Sequence, residues 1–466
     1  MADLPEQTDL LVIGGGPGGY AAAFEGARQG LDVTLVNNED VLGGVCLRRG
    51  CIPSKTLLHL NELVHAAQAA SDAGLLFAAP EVELDTIRQH KNAVIDQLTG
   101  GIGQLARHRH VRVIRARARF ADNSHVELDG ETQGTLAFDH AVIATGSRPQ
   151  ALPDIDFGGR IMSSTEALEL PEVPDSLLVI GGGYIGLELG MAYQALGSRV
   201  TLAEMTERLM PGADADLVKP LADAADKHFD TIHLNTKASG IEAGDDDVRV
   251  QLDTADEQLD QRFGRVLIAI GRQPNTADLN LAATDVACDD AGFVQVDESR
   301  STTAAGILAI GDAAGGMLLA HEAMHEGKVA ARVAAGQAAA FDARAVPAVV
   351  FTDPQLAWCG LTEEDARNQN LDVQVQRFPW QAAGRAVTMG ATAGLTKIIA
   401  DADSGRVLGA GIVGPQAEAL IAEAVLAIEM GAVAEDLAAT IHAHPTLSET
   451  VGEGAELFSG QATHYG

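Results

Sequence analysis

Cys46 and Cys51 flank Leu47-Arg48-Arg49-Gly50, and Ile52-Pro53-Ser54-Lys55 follows at once. Two sulfurs in one short loop feeding a helix read as a redox-active disulfide. Bridged cysteines hold their Cα atoms roughly 4.4–6.8 Å apart, less than an extended segment of this length spans, so the chain folds back here. Gly50 makes that reversal cheap. Pro53 suits a first-turn helical position, and Leu57, Leu58, Leu60, Leu63 and Val64 recur at roughly helical spacing, so a helix is expected beside Cys51. The positive end of its macrodipole favours thiolate, which makes Cys51 the persistent thiolate and Cys46 the sulfur that exchanges with substrate. A plain stabilising bridge, or two inert buried thiols, is the competing reading. With four cysteines in all and no signal peptide, a reducing compartment is expected, where structural bridges are rare. Cys288 and Cys359 have no partner spacing and read as inert.

A sulfur pair needs a framework, and the flanking sequence supplies one twice. Leu10 to Ile13 is a short apolar strand running into Gly14-Gly15-Gly16-Pro17-Gly18-Gly19, then an Ala-rich helix, then Val33 to Val36 as a second strand. In this dinucleotide signature Gly14 permits the tight turn, Gly16 lets backbone approach a pyrophosphate, and Gly19 lets helix and strand pack closely. The helix N-terminus supplies the anion site. The pattern recurs at Leu177 to Ile180, with Gly181, Gly183 and Gly186 in the same places, then Val200 to Ala203, ending at Glu204. One such fingerprint is weak; two in full context outweigh the reading of Gly-rich turns without a ligand. Glu204 is placed to accept hydrogen bonds from a ribose, favouring NAD and repelling the extra phosphate of NADP. Asn37 takes the equivalent place in the first unit and accepts without charge, so Asn37→Glu is expected to tighten binding of the first nucleotide.

At 466 residues the chain should hold two to four domains, and 46% hydrophobic residues suit a soluble globular protein. No apolar run is long enough to span a bilayer, and Met1 to Thr8 is acidic and polar where a secretory signal is basic then apolar. A cytoplasmic protein is expected. The net charge of -33 argues against nucleic acid or an anionic membrane as partner. High-salt adaptation and ordinary acidic drift both account for that balance. Arg107 to Arg119 is the one basic stretch, and its alternation fits a strand with one solvated face. No metal site is expected.

Further signals complete the pattern. Ala144-Thr145-Gly146-Ser147-Arg148-Pro149 follows one strand and Gly271-Arg272-Gln273-Pro274-Asn275 another; Ile307 to Asp312 reads Ile-Leu-Ala-Ile-Gly-Asp, and His442-Ala443-His444-Pro445-Thr446-Leu447-Ser448-Glu449 lies near the C-terminus. With the cysteine pair, these motifs make the chain resemble the dihydrolipoamide dehydrogenases, class I pyridine nucleotide-disulfide oxidoreductases, from about Asp9 to about Glu456.

The resemblance implies an α/β fold with two Rossmann-like dinucleotide-binding domains, for FAD and NAD, and a C-terminal α+β dimerisation domain. The FAD domain is expected at 1–150 and 276–346, the NAD domain at 151–275 and the interface domain at 347–466. By the same resemblance Asp312 holds the flavin ribityl chain with Ala320 nearby. Gly44, Ala118, Thr145, Gly146 and Ser147 join the FAD site, Ala118 standing where a relative has Gly. Lys55 lies by the flavin and pairs with Glu188, while Ala238, Ala269, Gly271 and Arg272 approach NAD. His444 acts as base, oriented by Glu449, and the pair is supplied by the partner subunit of a homodimer; His442 reads as structural. The implied reaction is oxidation of protein-bound dihydrolipoamide with reduction of NAD⁺. The implied partners are the lipoyl domain and acyltransferase core of a 2-oxo acid dehydrogenase complex, or the lipoyl carrier protein of glycine cleavage.

A glutathione-type or mercuric-type disulfide reductase is the nearest rival. No phosphate-binding Arg pair adjoins Glu204, and the C-terminus lacks paired cysteines. A flavoprotein kept as a structural component would have lost a cysteine or the His-Glu pair, and both are intact. Arg48 departs from the family, where Asn is common. Arg48 and Arg49 either favour thiolates and ease reduction of the disulfide, or are solvated without effect. Tyr184 either gates the nicotinamide pocket or packs there.

Overall fold

The computed structural model describes residues 4–466. Leu10 to Ile13 is apolar without alternation, as a strand covered on both faces requires, and Gln7–Ile13 lies at the middle of a parallel set. Val33–Asn37 pairs on one side, in register Leu10↔Val33, and Gly134–Ile143 on the other, in register Leu10↔His140. The sheet continues from Val33–Asn37 to Arg112–Phe120, then through His125–Gly130 antiparallel back to Gly134–Ile143. Ile307–Ala309 returns from far along the chain to pair with Gly134–Ile143, Ile307 opposite Ala141. That return brings Asp312 to the same carboxyl edge as Gly14, where ligands of such sheets bind.

A second parallel sheet runs Thr231–His233, Arg199–Ala203, Ser176–Ile180, Arg265–Ile268, Ile161–Met162 in spatial order, beside an antiparallel meander of Lys237–Ala243, Val248–Asp253 and Gln258–Phe263. Chain leaves for this unit along Ser147–Pro149 and re-enters along Arg272–Pro274, and the two pair antiparallel. The C-terminal part is a five-stranded antiparallel sheet packed against helix Ala417–Met430, and Phe378 and Trp380 are buried in the apolar cluster of this part. Among the described residues no helix is long and apolar enough to cross a membrane.

Two local expectations change. The basic stretch is not one strand: helix Leu84–His108 carries its first residues, and the strand starts at Arg112. From there the alternation is real, with Ile114, Ala116, Ala118 and Phe120 inside and Arg115, Arg117 and Arg119 outside. Arg117 and Arg119 face Asp129 and Glu127 on the neighbouring strand and Arg115 bonds Glu131 just past its end, a solvated charge ladder. The cysteine segment is not a loop but two helices, Gly44–Arg49 and Cys51–Ala69, broken at Gly50, where a Cβ would lie 2.9 Å from the Val45 carbonyl oxygen. The longer helix buries Leu57, Leu58, Asn61 and His65, while Leu63 turns outward.

The second sheet and the C-terminal sheet are joined through Lys397, which is 1% exposed. Its Nζ lies 2.8 Å from both Asp214 and Asp216, at the start of helix Ala215–His228, and pairs also with Glu363. The ammonium occupies the centre of this acidic trio, which makes it an ion-pair junction and not a metal seat. Lys397→Met should therefore cost on the order of 3 kcal/mol, since it leaves the buried Asp214 carboxylate without a cation while Arg377 still pairs with Asp216 and Glu363. Urea unfolding checks this, and a change under 1 kcal/mol would contradict the junction's role.

Candidate active site

The first cradle is built by backbone that tolerates no side chain. Gly14 has φ +114°, and a Cβ on it would lie 2.2 Å from the Ala144 carbonyl oxygen; one on Gly19 would lie 1.9 Å from that of Gly14. Helix Pro17–Arg28 starts from Gly16 with no side-chain cap and no acid in its first turn, so its leading N–H groups are free for an anion. The nearest atom to a Cβ on Gly16 is Gly44 Cα, 3.9 Å away, so the space over Gly16 is open. A cleft of about 820 Å³ spreads from it.

Gly14, Gly16, Asn37, Gly44, Ala118, Thr145, Gly146, Ser147, Asp312 and Ala320 all line this cleft, and so do Cys46, Cys51, Lys55 and Glu188. Thr145 Oγ1 is buried there without a partner. An uncapped helix end, an open glycine, an orphaned hydroxyl and this volume fit a bound dinucleotide. Gly19 lies behind, at the helix-strand contact.

Asn37 corrects one expectation. Its Oδ1 accepts from the Gly15 N–H at 3.2 Å, and its Nδ2 donates to the carbonyls of Glu39 and Val41, each at 3.0 Å. A carboxylate cannot donate, so the amide is required by the turn that follows. Arg272 is also differently disposed: it lines the first cleft, its Nε donates to Ser147 Oγ at 2.6 Å and its Nη2 to the Ser147 carbonyl at 2.8 Å. Ser147 in turn donates to Asp312, which lies 3.7 Å from the guanidinium. Arg272 thus braces the acid of the first unit instead of extending towards the second.

The two sulfurs sit at the helix break. The Cys46 thiol donates to Cys51, and this hydrogen bond leads in holding Cys51 down at about 7; burial opposes it and Lys55 assists. Cys46, as the donor and partly buried, is pushed far up. Lys55 Nζ lies 2.9 and 2.7 Å from the two oxygens of Glu188 and 4.5 Å over the Phe351 ring. Glu188 is 3% exposed and fully engaged, accepting also from Ser54 Oγ and the Phe351 N–H, each at 3.0 Å. Arg48 and Arg49 both turn to Glu39. The cation beside Cys51 is therefore Lys55, and the expectation that the arginines activate the sulfurs gives way.

The second cradle repeats the first. Gly181 has φ +112° with the Ala269 carbonyl oxygen 2.4 Å from a would-be Cβ, Gly186 packs on Gly181, and Gly183 faces open space. Helix Tyr184–Ala195 starts uncapped and without a first-turn acid. Glu204 accepts from the Gly182 N–H at 2.6 Å and from Thr206 N–H and Oγ1 at 2.7 and 2.8 Å. Ala238 packs on the apolar cluster beside this sheet, and Gly271 lies at the re-entry strand. Tyr184 lines the first cleft, and burial pushes its hydroxyl up to about 12.

His444 and Glu449 lie outside the cleft, on the C-terminal part. His444 Nδ1 is 2.8 Å from Glu449 Oε1, and Thr446 N–H donates to Oε2 at 2.7 Å. Against the opposing effect of burial, these contacts keep the Glu449 carboxyl below its usual range. The His444 side chain is 71% exposed, open to another molecule. His442 is enclosed, 2.8 Å from Glu423 and packed over Gly452.

Comparison with known proteins agrees with this geometry. Residues 8–327 match the pyridine nucleotide-disulphide oxidoreductase model, and residues 346–455 match the dimerisation domain of the same group. The dihydrolipoyl dehydrogenase of Haemophilus influenzae is 45% identical over 98% of this chain and 96% of its own length. The chain belongs to the dihydrolipoyl dehydrogenase family. Within that family, dihydrolipoyl dehydrogenase 2 of Haloarcula marismortui is 44% identical over 100% of this chain and 99% of its own. Of solved structures, LpdA of Mycobacterium tuberculosis superposes with a TM-score of 0.89 at 26% identity, covering 97% of this chain and 99% of that one. The HOCl-induced flavoprotein disulfide reductase RclA of Escherichia coli gives 0.84 at 28%, covering 96% and 99%.

Sequence reading missed Ser54, Phe351 and the Ser147–Arg272 brace. No periodicity marks them, because each acts through a contact with a distant segment. Two outcomes follow for the family member described here. In the reduced protein, alkylation against pH should show one thiolate with a midpoint near pH 7, and Lys55→Met should move it upward; an unmoved midpoint removes Lys55 from the account. Asn37→Glu should weaken binding of the first nucleotide several-fold, about 1 kcal/mol for lost donor bonds, measured as the FAD dissociation constant.

Proposed function

We propose that the chain oxidises protein-bound dihydrolipoyl groups to the cyclic disulfide while reducing NAD⁺, with FAD in the first cradle and NAD in the second. The observation that carries this is the sulfur pair in the cleft beside an uncapped glycine cradle, with Lys55 and Glu188 at the sulfurs. The family's names for its members support the substrate. Glu204 at the second strand's end supports NAD over NADP, because its charge disfavours a ribose phosphate.

The residues divide the work. His444, its Nδ1 held by Glu449, takes a proton from one substrate thiol at Nε2. The resulting thiolate attacks Cys46 Sγ, the Cys46–Cys51 bond breaks, and Cys51 leaves as thiolate. The second substrate thiol then attacks the substrate sulfur of the mixed disulfide, the bond to Cys46 breaks and the proton passes to the departing Cys46 sulfur, which closes the lipoyl ring and leaves Cys46 as thiol and Cys51 as thiolate. FAD held at the first cradle by Gly14, Gly16, Thr145 and Asp312 would supply the relay of the electron pair from the dithiol to NAD⁺. Once the bridge opens, the Cys46 thiol and, in second place, the Lys55 cation favour the thiolate form of Cys51.

Because His444 and Glu449 stand outside the cleft, a homodimer in which each subunit supplies the pair to the other completes the site. Lipoyl domains of a 2-oxo acid dehydrogenase complex, with its acyltransferase core, or the glycine cleavage carrier are the partners this chemistry serves. A reducing cytoplasm suits the four-cysteine complement.

Anaerobic titration of the holoenzyme with dihydrolipoamide should raise a long-wavelength thiolate-to-flavin band and, with NAD⁺, yield NADH. His444→Gln should lower steady-state lipoyl oxidation by about 10²–10⁴-fold while leaving reduction of the flavin by NADH intact. Equal loss in both half-reactions would move His444 out of the base role.

A further inference from the structure

The residues between the two cysteines are tied by charge to the turn after strand Val33–Asn37. Arg48 Nη1 lies 2.7 Å from Glu39 Oε2 and its Nη2 3.3 Å from Asp40, while Arg49 pairs with the other Glu39 oxygen. The Glu39 side chain is 15% exposed, so two guanidinium forks enclose one carboxylate largely out of water. Its backbone is held from the other side, since Asn37 Nδ2 donates to the Glu39 carbonyl and Asn37 Oδ1 accepts from Gly15. Glu39 and Arg49 both line the main cleft. An unbroken run of bonds thus leads from the glycine turn through Asn37 and Glu39 to the residues that separate the sulfurs.

We propose that Arg48, Glu39 and Arg49 form a positioning clamp through which FAD in the first cradle and the inter-cysteine segment order one another. The inference rests on the proposed binding of FAD and adds the residues that transmit it. The amide at 37 and the arginine at 48 become halves of one arrangement. The amide at 37 donates to the carbonyl of 39, which an acid there cannot do, and the acid at 39 meets Arg48, where the family commonly has Asn, and Arg49. Occupancy of the cradle stabilises the turn, the turn holds Glu39, and Glu39 holds the short helix that carries Cys46.

The clamp is tested on the holoenzyme by FAD release, followed as recovery of flavin fluorescence on dilution. Glu39→Gln and Arg48→Asn should each raise the FAD dissociation constant roughly three- to tenfold, the scale of a partly shielded ion pair. The double variant should release no faster than Glu39→Gln alone, because that substitution already removes the shielded Arg48–Glu39 pair. Arg48→Lys, which keeps the charge but not the fork, should recover part of the loss and serves if Glu39→Gln does not fold. As a second readout, alkylation of the reduced cysteines should be slower with FAD than without it in the parent, and that difference should shrink in the variants. Unchanged release, or additive effects in the double variant, overturns the clamp. A parent protein that retains no FAD overturns the proposed function instead.

Discussion

Glu188 is a carboxylate with almost no access to water, on a helix that begins at the second nucleotide cradle. A buried charge of this kind persists only if it is paired and its remaining lone pairs are filled. Here the partners come from two other parts of the molecule. Lys55 and Ser54 reach it from the helix that carries Cys51, and Phe351 offers its N–H from the start of the C-terminal sheet. The need to satisfy one carboxylate therefore sets how the redox helix, the second Rossmann unit and the C-terminal part meet. It also places the Lys55 cation at Cys51, where it helps hold the thiolate.

The remaining architecture shows one physical solution used twice. Each cradle has a glycine at positive φ under a carbonyl, a second glycine pressed against the first, and a helix end left uncapped. The two differ at the end of the second strand. In the second unit a carboxylate gathers three donors from the turn, and in the first an amide both accepts and donates. The charge that might have stood at position 37 stands at 39, facing arginines.

His444 and Glu449 form a finished hydrogen-bonded pair on an exposed surface, apart from the sulfurs they are proposed to serve. A base that is already oriented and yet open to solvent suits a site completed by a second chain. His442, enclosed and paired with Glu423, holds the segment that presents it.

Much of this was legible in the chain itself. The two glycine fingerprints, the parallel strands and the helix beginning at Cys51 follow from spacing and local conformational preference, which act over a few residues. The pairing of His444 with Glu449 was legible only through the resemblance to the family, and the structure shows the two side chains 2.8 Å apart. What local sequence could not settle were contacts made across the fold. Position 37 was read by the charge it lacks, and the arginines at 48 and 49 as either activating or solvated; the fold gives each a hydrogen-bonded partner that none of those readings contained. Arg272, Ser54 and Phe351 took their roles only when strands distant in sequence were brought side by side. Residue types and their intervals determined which chemistry this protein carries; the packing of buried charges, which must find partners wherever the fold offers them, decided which groups tune it.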